Sequence, residues 1–498
     1  MKFTGFVGPS YVSQSLRAAD QRCVNWYVEN IEVGNETFQT ALYPTPGFAT
    51  HETFTESPVR GMIEQNGRCF AVVGQTFYEV FKDPSTTTAV AHGTVAFDTN
   101  PATMAANVDA GDQIFITSGG QGYVYTLSTD AFALVNGSGG ASLALEQCDF
   151  LDGFFLGLDA DTSTLRISDL NAGQTWDDTQ YAQRTAGSDP WQSMVVTHRD
   201  IWLFGKQTTE VWYNAGASPF PFAAIPGAFL EQGISAPFSA KRVGNTVMWL
   251  GGSEDGVGVV WRANGYSPER VSTHAVENSI QGYARAGISI SDAVAWTYQE
   301  DGHLFYGLNF PTAKATWVFD ATTELWHERG TWDSDAVSYK AWQPQYCVYA
   351  FGKHLVGDRE TGTIHEMSID KFNDVGGVPI RRIRRTPHVA SDNNWMFYNS
   401  LQLSMQTGIG LTEGDSADPP VQGSDPQVMM RWSDDGGETW GNEHWAGAGK
   451  IGEYGARAIW RRLGRGYDRV YEIIVSDPVP WRITGAYLDL TVSAGRKR

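Results

Sequence analysis

Apolar residues along this chain fall in short unbroken runs, separated by polar, glycine-rich turns. Residues 201–205 (IWLFG) are the clearest case, approached through His198, Arg199 and Asp200. A half-buried strand alternates apolar and polar residues. A strand covered on both faces reads as a continuous apolar run of about 4–8 residues. The segment is therefore predicted to be a strand deep inside a β structure. Similar runs begin at Cys69, Ile114, Phe154, Val247, Leu304 and Cys347, giving successive spacings of 45, 40, 47, 46, 57 and 43 residues.

Each period divides into four short strands. In the first, residues 59–64 lead into a turn containing Asn66-Gly67, a pair that readily supplies two positive φ values and so closes a hairpin. The apolar run 69–74 follows, then strands near 77–81 and 86–92. In the sixth, strands 316–320 and 324–328 flank a turn that Asp320 can cap with its carboxylate. The sixth spacing is long because residues 273–286 are inserted, with the look of a short helix. Four-stranded units at periods of about 40–50 residues are the mark of a β-propeller. Seven periods are counted; the seventh, about 337–374, is less regular, and six is the alternative count.

The expected organisation is all-β. It comprises an irregular N-terminal arm (1–56), a β-propeller (57–378) and a C-terminal β-sandwich-like domain (379–498). The arm carries Pro44 and Pro46, which force extended or turned backbone. In the last domain, strands are expected at 379–386, 428–433, 467–476 and 481–492, with a mobile acidic loop at 413–426.

Composition sharpens this picture. Eighteen Trp and 54 Gly suit many short strands joined by tight turns. The net charge is −20, which argues against bulk electrostatic binding of nucleic acid. Residues 379–498 hold 15 Lys and Arg against 14 Asp and Glu, so −21 lies in residues 1–378. The four cysteines, Cys23, Cys69, Cys148 and Cys347, form no CxxC pair, which is a reduced-compartment pattern and not a disulfide framework, and Cys69 and Cys347, which open apolar runs, are read as small core residues. The opening residues lack the apolar core of a signal peptide, and no window approaches 18 uninterrupted apolar residues, so no membrane span is expected.

Few motifs carry chemistry. Ser433-Asp434-Asp435-Gly436-Gly437-Glu438-Thr439-Trp440 fits an Asp-box, S-x-D-x-G-x-T-W. Ser433, Asp435, Gly437, Thr439 and Trp440 are expected to hold a hairpin: the carboxylate caps the turn, Gly437 takes a strained backbone position and Trp440 covers it. Residues 168–176 are a looser version. No G-x-S-x-G, H-E-x-x-H or P-loop is present, the ten histidines are scattered, and no metal or cofactor site is expected. Asp159, Asp161 and Ser163 read as a tight turn, since the glycine and distal glutamate of a calcium loop are missing. Gly119, Gly120 and Gly122 open a strand and not a helix, so they form no dinucleotide site. The run Arg381, Arg382, Ile383, Arg384, Arg385 places cations on both faces of a strand. It suits an ion-paired subunit contact with the acidic propeller at least as well as a phosphate contact. The terminal Arg496-Lys497-Arg498 is a second basic segment.

Two stretches resemble a known family. Gly8-Pro9-Ser10-Tyr11, Ala19-Asp20-Gln21-Arg22, Asn25-Trp26-Tyr27-Val28-Glu29 and Leu42-Tyr43-Pro44-Thr45-Pro46-Gly47 resemble the opening of the phage stabilisation proteins, the tail hub or nozzle proteins of short-tailed phages. Trp460-Arg461-Arg462-Leu463-Gly464, Ser476-Asp477-Pro478 and Ile483-Thr484-Gly485-Ala486 are similar to that family's end. The resemblance implies a non-enzymatic virion protein of the tail, assembled in the host cytoplasm. Its partners would be further copies of itself in a hexameric ring, a portal adaptor, a needle or plug, and tailspikes or fibres. Double-stranded DNA would pass transiently during ejection. Asp20, Gln21, Asn25, Trp26, Tyr27, Arg381, Arg382, Arg384 and Arg385 are the expected subunit or adaptor contacts. The competing expectations from the residues are a sialidase-like propeller glycosidase and a carbohydrate- or receptor-binding propeller.

Overall fold

A computed structural model describes residues 1–33, 37–107, 111–160, 162–184, 187–253, 256–392, 394–412 and 421–493. Asp161, the first part of the acidic loop (413–420) and the basic terminus (496–498) lie outside the described residues.

The periods form seven antiparallel sheets. The first contains Val59–Gln65, Arg68–Val73, Thr76–Val80 and Val90–Thr94. Five more lie within 103–134, 147–183, 191–230, 233–270 and 294–329. The seventh takes Pro344–Ala350, Lys353–Asp358 and Thr363–Ser368. The innermost strands touch neighbour to neighbour around a closed ring, the seventh meeting the first. The architecture is a seven-bladed propeller, so the count of seven holds.

The first six apolar runs lie on the second strand of each blade, and the reason is visible in the fourth. There Asp200–Gly205 sends Ile201 and Leu203 into a cluster shared with the third blade, and Trp202 and Phe204 into one shared with the fifth. Both faces are covered by neighbours, so alternation is lost. The seventh run behaves differently. Cys347 lies on the blade's first strand, and the second strand, Lys353–Asp358, has a less apolar sequence. The inserted segment is the helix His274–Arg285, whose first turn is capped by Thr273 Oγ1 accepting from the Val276 N–H.

The N-terminal residues are not a free arm. Gly47–Thr53 is the fourth strand of the seventh blade, running from Gly47 opposite Ser368 to Thr53 opposite Thr363, so the start of the chain closes the ring. Trp26–Val33 and Thr37–Pro44 join a sandwich sheet with Ile483–Val492, Met396–Met405 and Ile459–Arg461. Asp20–Val24 lies between the propeller and the other sandwich sheet. Val24 pairs in parallel with Glu328 of the sixth blade, and Arg22, Cys23 and Val24 pair with Arg385, Arg384 and Ile383. One eleven-stranded sheet therefore runs from the propeller into the sandwich. The sequence pattern misses this because these pairs join residues some 300 positions apart, and such contacts leave no local period. The sandwich core packs Trp26, Val28 and Leu42 against Leu401, Trp460, Tyr471 and Trp481.

Candidate functional site

The residues expected to contact other subunits are used inside the chain, at the junction of propeller and sandwich. Arg382 and Arg384 are fully buried. Among the described residues Arg384 has no carboxylate partner; its guanidinium donates to the carbonyl oxygens of Phe6 (2.6 Å), Pro9 (3.0 Å), Gly5 (3.0 Å) and Arg22 (3.3 Å), and to Gln21 Oε1 (3.3 Å). Arg382 donates to Thr45 O and Ile380 O and lies over the Trp26 ring. Arg385 donates to both oxygens of Asp20 (2.7 and 2.8 Å) and to Glu472 Oε2. Arg431 holds the other Glu472 oxygen at 2.7 Å. Burial works against the Glu472 charge, and the two guanidiniums overcome it, holding its carboxyl below the ordinary value. Burial pushes the Asp20 carboxyl up, with Arg385 pulling back. Asn25, at φ +58°, bonds both polar groups of Gly330 and the Arg381 carbonyl. Arg381 lies over Trp332, 3.6 Å from Glu443. Tyr27 packs edge-on against Tyr43, His303 and Phe305. Most of these side chains are buried and engaged within the chain, where they hold its two domains together.

The junction also contains a cluster that the sequence did not single out. His303 lies between two carboxylates, with Nδ1 2.7 Å from Asp320 Oδ2 and Nε2 2.8 Å from Glu29 Oε2. Burial disfavours its charge, but the two acids raise its pKa to about 9. The available signal was a histidine directly after the Asp301-Gly302 turn and before an apolar run.

The Asp-box joins this junction. Ser433 Oγ donates to Asp435 Oδ1 (2.6 Å), Thr439 N–H donates to the same oxygen (2.9 Å), and Trp440 Nε1 donates to Gly437 O (3.0 Å). These donors hold the Asp435 carboxyl well below its usual range. Trp440 is flanked by the Arg385 and Arg431 guanidiniums, and Gly437, at φ +101°, lies so close to Asp20 that a Cβ would stand 2.1 Å from Oδ2. In the looser copy, Trp176 Nε1 donates to Gly173 O at 2.8 Å in the same way.

Two cavities lie among the inner strands of the propeller. One, of about 860 Å³, is lined by residues of every blade, among them Arg60, Ser118, Glu146, Gln192 and Asp292. Arg60 is tied to Asp98 and donates to Ser118 Oγ at 2.8 Å. A second cavity of about 390 Å³ lies further along the same inner strands, and Pro237 and Phe238 line both. That loop is pinned: Gln147 Nε2 and Ser193 Oγ donate to Pro237 O (3.1 and 2.5 Å), and the Ala295 N–H donates to Phe238 O (3.0 Å). Among the described residues no group of three His, Cys, Asp or Glu could hold a metal ion, and no helix is long and apolar enough to cross a membrane.

Seven blades in a closed ring, fused by a continuous sheet to a β-sandwich, define a propeller–sandwich protein. The chain belongs to the phage stabilisation family. The family model described as Bacteriophage P22 Gp10, beta-propeller, matches residues 8–371, and the one described as Bacteriophage P22 Gp10, beta-sandwich, matches residues 381–491. It is thus a bacteriophage structural protein. No curated protein matches the chain. Solved structures match the chain at low identity and low TM-score. The N-terminal domain of Nup159 is 12% identical (TM-score 0.39), with 70% of this chain and 99% of that one covered. PorZ, a surface component of the type-IX secretion system of Porphyromonas gingivalis, is 11% identical (TM-score 0.36), with 72% of this chain and 45% of that one covered.

Proposed function

We propose that this protein is the hub or nozzle of a phage tail. Copies form a hexameric ring below the portal and adaptor, extend the DNA channel, retain the packaged genome and conduct it at ejection. Needle or plug and tailspikes or fibres attach to the ring, which is built in the host cytoplasm and resides in the virion tail. The protein performs no catalysis. The observation that carries this reading, beside the family, is the filled centre of the propeller. The loop of Pro237 and Phe238 lines both central cavities and is bonded to three other blades, which leaves no path for a duplex, so a DNA channel must be enclosed between copies. The charge of −21 on residues 1–378 suits a wall past which DNA slides without adhering.

Mass photometry and negative-stain imaging, with and without a portal–adaptor complex, test the proposal. A ring is expected. A chain that stays monomeric and never joins that complex overturns it. The larger cavity, with Asp98 and Asp292 in its lining, is where a sialidase-like or glycan-binding activity would lie. No turnover of chromogenic glycosides and no glycan-array binding are expected.

A further inference from the structure

The outward face of one sandwich sheet carries a set of exposed side chains that the folded chain does not use. Its rows can be read from the register. Phe397 lies between Arg465 and Thr491, Ser400 between Arg461 and Asp489, and Gln402 between Ile459 and Tyr487. Phe397 and Tyr487 are 43% and 49% exposed. Beside them Trp395 and Tyr467 stack with centroids 3.7 Å apart, under the Arg465 guanidinium. Lys2 pairs with Tyr487, and Arg457 and Arg462 are exposed at the rim. Among the described residues none of these cations forms an ion pair, and one carboxylate, Asp489, stands in the rows.

Exposed Trp, Tyr, Phe and Arg side chains on one rigid sheet are the composition of the energetic centre of a protein interface. A contiguous apolar patch rimmed by charge marks such a surface. The occupant follows from charge. This face is cationic, whereas residues 57–378 carry −18, so the acidic propeller is its electrostatic complement. A contact between two different surfaces of the same chain is head-to-tail, and head-to-tail contacts close into rings when the rotation allows.

We propose that this arginine–aromatic sheet face docks on the acidic propeller of a second copy of the chain, and that it is the contact that closes the ring. The inference rests on the ring reading given above. It places the subunit contact on Arg461, Arg465, Phe397 and Tyr487, and not on the buried arginines 382 and 384.

The test uses the full chain with a photo-crosslinking amino acid at position 397, mixed with an isotopically labelled copy. Inter-copy crosslinks to peptides within residues 57–378 are expected. The double variant Arg461→Glu/Arg465→Glu is expected to keep the wild-type circular dichroism and melting curve while assembly weakens at least tenfold. If rings form and the variant assembles like wild type, or if crosslinks join sandwich to sandwich, the inference is wrong and the ring reading stands. If wild type remains monomeric even with the adaptor, both fall. Salt-dependent binding of short duplex DNA that the double variant abolishes, with assembly intact, assigns the face to nucleic acid and also overturns the proposal.

Discussion

Glu29 and His303 meet where the sandwich reaches the propeller, Oε2 2.8 Å from Nε2, and Asp320 holds the other side of the same ring. Because these acids raise the folded-state pKa to about 9, above its ordinary value near 6.5, the ion triad stabilises the fold fully below pH 6.5. It is lost as pH rises through 9. Denaturant unfolding of wild type and His303→Gln between pH 6 and 10 is expected to show a falling stability difference. Parallel profiles would refute the assignment.

Arg384 is the donor that holds the first 22 residues in place, through four carbonyls and one side-chain amide. Arg384→Ala leaves those acceptors unpaired, and Arg384→Lys cannot match the planar fork. Either change is expected to destabilise by about 2–5 kcal/mol. Hydrogen exchange in residues 1–24 should rise before exchange in the blades does. Uniform protection in both variants would count against this role.

Gly437 sits at φ +101° with Asp20 immediately beyond its hydrogen. Gly437→Ala adds a methyl group to a left-handed position and drives it into that carboxylate, so a loss of about 1–3 kcal/mol is expected. Asp435→Ala should also destabilise, by uncapping the turn. Melting curves of the two variants check both changes, and the glycine change should be the worse.

Trp202 is buried between the fourth and fifth blades beside Phe204 and Trp249. Trp202→Asp places a charge there without a partner and is expected to lose more than about 4 kcal/mol. Tyr213→Asp, at an exposed position of the next strand, should stay within about 0.5 kcal/mol. An unchanged melting curve for Trp202→Asp would show that the strand is not covered on both faces.

The blades were legible because each is local. Residues 201–205 announced a doubly covered strand, and Asn66-Gly67 announced a hairpin whose φ values are indeed +53° and +77°. The Asp-box sequence likewise spelled out its own hydrogen bonds, all within eight residues. The arginines of 381–385 were visible as a cluster, but their charge suggested an outer surface. Only packing revealed that Asp20, Glu472 and the carbonyls of the first ten residues lay waiting for them.

By itself, then, the sequence determined the repeat and the turns, which depend on residues within about 50 positions of one another, while the count of seven over six needed the strand that Gly47–Thr53 adds to the last blade. The tertiary structure decided what closes the ring and what joins the domains. Thr53 lies opposite Thr363 and Val24 beside Glu328. Strand pairing is made by backbone groups that every residue carries, so such distant partners leave no mark in composition or period. They are chosen only when burial of the whole sheet makes one register better than the rest.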